Sequence, residues 1–408
     1  LTFLELTTIV IAALTLFGVA LGHYPRMRMN RATITLVGAT LLVAVGAMTL
    51  DEAFDSIDMN IIALLFATMI ISVNLSVSGF FGLVISRVTR LARSPKILLA
   101  LVISVSGASS ALFLNDVVVL MFAPLVLETA RALGRRPMPY LIGLMTSANI
   151  GSTATIVGNP QNMLIGVSSG IPYLTFASYL APVALAGMGI AWAIIVLVYR
   201  REFARAVFES GPDLVVRPYK PLLRKSVFAV SVMLAAFVSG VPVPLAALSA
   251  AAILLTTRRL KPARVFRELD WSLLVFFSVL FVVTGALESS GISGRLFAAL
   301  RPAMGEGIAP LSVIAAGLSN IVSNVPAVLL FRPFIAGLAD PQRAWLALAM
   351  SSTLAGNLTL LGSVANLIVA ESAGVRGAPI SFLEYLKAGV PITILTLATG
   401  ILWLSLVP

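Results

Sequence analysis

The 408-residue sequence has no cysteine, a single histidine, and only 11% charged residues. Without cysteine there is no disulfide framework, thiolate metal site or redox motif. His23 stands alone beside Arg26 and Arg28, where a solvated loop role fits better than metal or acid–base chemistry. No metal cluster and no nucleophile–base pair is visible, so an enzyme is not expected and no cofactor is called for. A GxxxxGK[ST] phosphate loop is also missing, so any ATP would have to be used by a partner subunit. Residues Leu1 to Glu5 carry no basic segment of the kind that opens a cleavable signal peptide.

What is abundant is apolar. Hydrophobic residues make up 59% of the chain and the mean hydropathy is +1.02, whereas a soluble domain is about one quarter charged. Long apolar runs recur, among them Leu4 to Gly22, Ala32 to Leu50 and Tyr173 to Val198. Each is long enough to cross a hydrocarbon core of about 30 Å as a helix. The expected class is an all-α polytopic membrane protein with about ten transmembrane helices. The net charge of +11 then reads as basic cytoplasmic loops rather than a nucleic-acid surface.

The loops set an orientation. With His23 to Arg31 in the cytoplasm, the N-terminus lies outside, and helices follow at about 32–50 and 60–78. Two short apolar arms within 97–130 read as a re-entrant hairpin, and an interrupted helix follows at about 139–168. The polar segment 200–225 divides an N-terminal half, 1–199, from a C-terminal half, 226–408. The second half offers a hairpin at about 308–339 and an interrupted helix at about 344–371. All of the 28 basic residues except Arg295, Arg301, Arg332 and Arg343 then face the cytoplasm, as the positive-inside rule requires. The expected location is the plasma (inner) membrane.

The two halves repeat. The stretch from Ser56 matches that from Glu268, pairing Asp58 with Asp270 and Gly79 with Gly291. "LNDVVVLMFAP" matches "SNVPAVLLFRP", pairing Asn115 with Asn324, and "TATIVGNPQN" matches "NLTLLGSVAN", pairing Thr155, Gly158 and Asn162 with Thr359, Gly362 and Asn366. The assigned orientation runs the copies in opposite directions. Inverted repeats with interrupted helices are the signature of a secondary transporter whose site lies where the breaks meet.

The breaks supply the candidate binding residues. The first hairpin offers Ser109, Ser110, Asn115 and Asp116, and the second Ser319, Asn320, Ser323 and Asn324. The interrupted helices add Thr155, Gly158, Asn159 and Asn162, and Thr359, Gly362, Ser363 and Asn366. A backbone group left unpaired in hydrocarbon costs several kcal/mol, so such breaks persist only against protein or a wet cavity. Their Ser and Asn side chains either bind solute or cap helix ends. Asp116 faces Val325 across the repeat, so symmetry does not demand it; it reads as the proton- or ion-coupling carboxylate, or else as a helix cap. Glu128, Glu288 and Glu371 are weaker candidates near helix ends, and Arg332 reads as a snorkelling residue. No Lys or Arg lies in a break motif, which suits a small neutral or weakly charged solute, or a cation.

The motifs "FLNDVVVLMFAPLV", "ANIGSTATIVGNPQN" and "SNIVSNVPAVLL", with "GSVANLIV", resemble those of the ion transporter superfamily. The likeness is greatest to its branch of arsenite permeases (ArsB), Na+/H+ antiporters and YbiR-type anion transporters. It spans essentially the whole chain. It implies a homodimer, a scaffold and a transport domain in each protomer, a site between two hairpin tips and two unwound helices, and elevator-type motion. Dicarboxylate members carry Ser-Asn-Thr at both tips. Here the tips read Leu114-Asn115-Asp116 and Ser323-Asn324-Val325, which argues against sodium-coupled dicarboxylate uptake. The resemblance points first to arsenite and antimonite efflux exchanged for protons, with or without a cytoplasmic ATPase partner. A Na+/H+ antiporter and a sodium- or proton-coupled anion carrier are the alternatives.

Overall fold

A computed structural model describes residues 2–22, 29–204, 217–256, 260–304, 307–335 and 337–407. His23, Arg26, Arg28, Arg205, Arg258 and Arg259 lie outside the described residues, as does the side chain of Arg301. The first half forms ten helices: α1 (Phe3–Leu21), α2 (Arg31–Ala44), α3 (Leu50–Asp55), α4 (Met59–Val77), α5 (Phe80–Leu91), α6 (Pro95–Leu112), α7 (Asn115–Ala132), α8 (Pro137–Ser152), α9 (Pro160–Ser169) and α10 (Tyr173–Val198). The second half forms ten more: α11 (Lys220–Val238), α12 (Val243–Leu255), α13 (Pro262–Arg267), α14 (Trp271–Ser289), α15 (Ile292–Met304), α16 (Ile308–Val322), α17 (Asn324–Ile335), α18 (Pro341–Ala355), α19 (Val364–Val375) and α20 (Phe382–Leu406). The described residues contain no strand. Among the described residues seven helices are long and apolar enough to cross a bilayer, and the protein is a multi-pass integral membrane protein.

The repeat is wider than the sequence motifs that revealed it. Each helix of the first half has a counterpart in the same order in the second, and α3 and α13, or α4 and α14, lie 212 residues apart at both ends (50 and 262, 55 and 267; 59 and 271, 77 and 289). Packing is reciprocal. Helix α2 packs on α14 as α12 packs on α4, and α7 packs on α19 as α17 packs on α9, while α10 packs on its own counterpart α20. This pattern of exchanged partners is what a pseudo-two-fold axis relating the halves would produce. The matched Gly79 and Gly291 also gain a reason. Both hold φ near +80° and +70° (79° and 68°), where a Cβ is strained, and both turn the chain from a spanning helix into a short amphipathic one.

Some element boundaries differ from expectation. The run Ala32 to Leu50 breaks after Ala44, where Gly46 takes φ 78°, and Thr49 caps the separate helix α3 with Glu52 in a reciprocal box. Helix α11 starts at Lys220, inside the polar segment expected to be loop; Pro221 occupies its first turn, where the missing N–H costs nothing. The basic stretch around Arg87 and Arg90 is helical too, as the amphipathic helix α5.

Candidate solute and ion site

The interrupted helices are built around two asparagines. Helix α8 ends at Ser152 and α9 begins at Pro160, leaving carbonyls with no helical partner between them. Asn162 Nδ2 donates to the carbonyls of Ser152 and Thr155, both at 3.0 Å. Asn366 Nδ2 does the same across the second break, donating to Gly356 at 2.8 Å and Thr359 at 3.2 Å. An amide NH2 carries two protons and can serve two carbonyls at once. Both asparagines are fully buried. Asn159 and Ser363 cap the helices that follow, accepting from the backbone N–H groups of Asn162 and Ala365.

A pair of residues in matching positions joins the breaks. Asn149, near the end of α8, reaches into the second break: its Nδ2 donates to Asn357 Oδ1 (2.9 Å) and Asn366 Oδ1 (3.2 Å), and its Oδ1 accepts from Ser363 Oγ (3.0 Å). Thr353, the counterpart 204 residues later (353 against 149), reaches into the first. Its hydroxyl accepts from Asn159 and Gln161 and donates to Asn162 Oδ1. Tyr385, fully buried, donates to the Asn357 carbonyl at 3.1 Å.

The hairpin tips dock onto this frame. The Asn115 N–H donates to the Gly158 carbonyl at 3.0 Å, and its Nδ2 donates to Asn149 Oδ1 at 3.1 Å. Thr155 donates its hydroxyl to the Ala111 carbonyl, tying the first break to the arm behind the tip. Gly158 is a point of close backbone approach: a Cβ there would lie 2.4 Å from the Ser152 carbonyl oxygen and 2.8 Å from that of Ser110. In the second hairpin, Ser319 donates to Asn324 Oδ1 at 2.7 Å, and Asn320 Nδ2 donates to the Ala355 carbonyl at 3.1 Å. Ser323 holds φ 77° and ψ 159°, a conformation normally kept for glycine.

A cavity of about 450 Å³ opens between these tips and the ends of α1, α2 and α14. Of the residues singled out from sequence, Asn115, Asp116, Ser323, Asn324 and Ser363 line it. Ser110, Thr155, Gly158, Asn159, Asn162, Ser319, Asn320, Thr359, Gly362 and Asn366 lie off it, in the framework behind. Ser109 faces a separate, largely apolar cavity of about 360 Å³ between α4, α5, α6 and α11. The solute-sized cavity also takes in residues that sequence reasoning missed: Asn30, Arg31, Gln161, Asp270 and Ser272.

The cavity's charge is mixed. Arg31 stands at the first position of α2, behind the capping Asn30, and Asp270 caps α14. Asp116 is half-buried at the start of α7 and lies within electrostatic reach of both. Glu371 lines the cavity too and is exposed. Three carboxylates therefore face one guanidinium among the described lining residues. Glu128 and Glu288 are exposed and lie off the cavity. Arg332 does not simply point outward: its guanidinium lies 4.0 Å from Asp58, the residue that caps α4.

Known proteins place this arrangement. The chain is 31% identical to a silicon efflux transporter of Oryza sativa subsp. japonica, over 92% of its own length and 93% of the relative's. It is 29% identical to a 46 kDa membrane protein of Mycobacterium leprae, over 97% and 98%. Identity to a putative transporter arsB of Dictyostelium discoideum is 25%, over 93% and 87%. The solved YdaH transporter of Alcanivorax borkumensis shares the fold, with a TM-score of 0.55 at 15% identity over 99% of this chain and 97% of that one. The sequence pattern of the citrate transporter family CitMHS matches residues 10–355, and the chain belongs to this family of secondary transporters, within the ArsB-like ion transporter superfamily.

Proposed function

We propose that the protein exports a small uncharged metalloid hydroxide in exchange for protons, with arsenite and antimonite as first substrates and silicic acid as a close chemical relative. One observation carries this reading: the cavity offers amides and hydroxyls (Asn115, Asn324, Ser323 and Ser363) around a single ionisable tip residue, Asp116. A neutral hydroxide both donates and accepts hydrogen bonds, and side-chain amides match it in both roles. The lack of cysteine suits release, because no thiolate can trap As(III). The rice relative is a silicon efflux transporter, which points the same way. Free citrate fits less well, since one arginine is outnumbered by three carboxylates among the described lining residues.

Motion is proposed to be of the elevator type. The hairpin tips with α9 and α19 would carry the solute past the ends of α2 and α14, which form the opposite wall. Arg31 and Asp270, which line the cavity, end the basic segments that the sequence assigns to the cytoplasm, so this state would face the cytoplasm. A Na+/H+ antiporter is the second reading, favoured by the two carboxylates Asp116 and Asp270 at one cavity.

The test is flux in proteoliposomes. Arsenite, silicic acid, sodium and citrate are each offered against an imposed pH gradient. Proton-driven movement of arsenite or silicic acid is expected, and it should be lost in Asn115→Ala and Asn324→Ala. Sodium or citrate flux without metalloid flux would refute the proposal.

A further inference from the structure

Two charges break the symmetry of the cavity. Asp116 corresponds to Val325 in the second repeat, 209 residues on (325 against 116). Arg31 opens α2 as Val243 opens α12, 212 residues on (243 against 31). Both exceptions line the same cavity, and each lies within electrostatic reach of the other. They come from opposite walls. Asp116 rides on the hairpin tip, while Arg31 belongs to α2, which packs along α14.

We infer that Arg31 is the coupling partner of Asp116: a fixed cation that holds the ionised hairpin tip at this wall until a proton or bound cation neutralises it. The inference rests on the proposed proton exchange. An ionised Asp116 leaving Arg31 would separate opposite charges in a poorly screened interior, which is unfavourable. Once the carboxylate accepts a proton it becomes a neutral acid, the attraction ends, and the tip is free to move with its solute. The other charged groups facing Asp116 act against this hold without replacing it. Asp270, at the cap of α14, repels the carboxylate, and Glu371 is exposed and screened by water. Arg31 is therefore the one cation among the described lining residues that can retain the tip, and it would prevent empty, unprotonated return.

Arg31 acts here as a positioning residue, and its test needs readouts that a packing role would not move. The chain has no cysteine, so Leu367→Cys on the cavity wall provides a single thiol. Its labelling by a membrane-impermeant maleimide from the cavity's open side reports how much protein occupies this state. Adding Asp116→Asn should slow labelling about fivefold or more. Arg31→Gln should slow it equally, the two together no further than either, and Arg31→Lys should restore it. This readout needs no substrate, so it stands or falls separately from the metalloid proposal. With arsenite as probe, Arg31→Gln should lose pH-driven accumulation and Arg31→Lys should regain it. Three outcomes would overturn the inference: unchanged labelling in Arg31→Gln, additive effects of the two substitutions, or a raised KM with pH coupling intact.

Discussion

Replacing Asn149 by Ala should destabilise the protein strongly. Its amide makes four side-chain hydrogen bonds, to Asn115, Ser363, Asn357 and Asn366. Interhelical hydrogen bonds in membrane proteins average about 0.6 kcal/mol each, so their loss alone sums to about 2 kcal/mol. Truncation also strands partners. Asn115 and Ser363 line the cavity and can turn to water, but Asn357 Oδ1 and Asn366 Oδ1 are fully buried. Leaving a buried polar atom unpaired costs about 1–3 kcal/mol. A destabilisation of about 4 kcal/mol or more is expected. The assay is thermal unfolding of purified protein in detergent, followed by monodispersity. Asn74→Ala is the control: Asn74 is as buried, yet donates only to the Ile70 carbonyl in its own helix, and its Oδ1 has no partner. Equal melting shifts for the two variants would refute the view that Asn149 joins the two breaks.

Four further outcomes are expected. Asp116→Asn keeps shape and removes ionisation, so it should abolish pH- or sodium-driven accumulation while leaving slow downhill exchange, measured in proteoliposomes with arsenite; unchanged pH and sodium dependence would make Asp116 a helix cap. Gly158→Ala should lower the melting temperature by several degrees, because its Cβ would meet backbone atoms 2.4 Å and 2.7 Å away, whereas Gly374→Ala in α19, with open space around it, should be neutral or stabilising by up to about 1 kcal/mol. Ser323→Gly relieves a glycine-type conformation and should stabilise the fold by about 1 kcal/mol, while loosening the tip and raising KM for the transported solute. Arg332→Gln should weaken the hold between α17 and the cap of α4 and speed labelling of Leu367→Cys from the side opposite the cavity; an unchanged rate would leave the Arg332–Asp58 pair as a surface contact.

The features legible in the sequence are those where backbone chemistry restricts the choice of residue. A helix interrupted within the membrane needs donors for its freed carbonyls, and Asn162 and Asn366 supply them at equal spacing after their breaks. Gly79 and Gly291 matched because both positions need a left-handed residue. Arg31 escaped notice because a basic residue beside a basic loop looks like topology signal; only the fold shows that the end of α2 borders the hairpin tip. Asp270 was hidden likewise, as the last residue of a charged segment. Asn149 lay in a quoted motif, "ANIGSTATIVGNPQN", yet outside the break itself, and its partners are more than 200 residues away in the other repeat (357 and 366 against 149). Long-range pairing of this kind leaves no periodicity to read. Many residues proposed from their type alone hold the frame that presents the few lining the cavity.

The repeat also suggests how one fold gains direction. A frame with two matching halves favours neither side of the membrane by itself, so any bias must come from positions where the halves differ. Apart from the exposed Glu128, the hairpins differ in charge at two of these. The first carries Asp116 against Val325, and the second carries Arg332 against Ala123, 209 residues earlier (123 against 332). Each charged hairpin residue meets an aspartate that the repeat conserves as a helix cap, with opposite results. Arg332 is attracted by Asp58, the cap of α4, whereas Asp116 is repelled by Asp270, the cap of α14. The Asp58 contact favours a closed second hairpin in the present state. On the cavity side Arg31 must offset the Asp270 repulsion for the first tip to stay while ionised. In the proposed exchange, protonating Asp116 would remove both the attraction to Arg31 and the repulsion from Asp270, and the Arg332–Asp58 pair would be a further charged contact to break before the tips could cross.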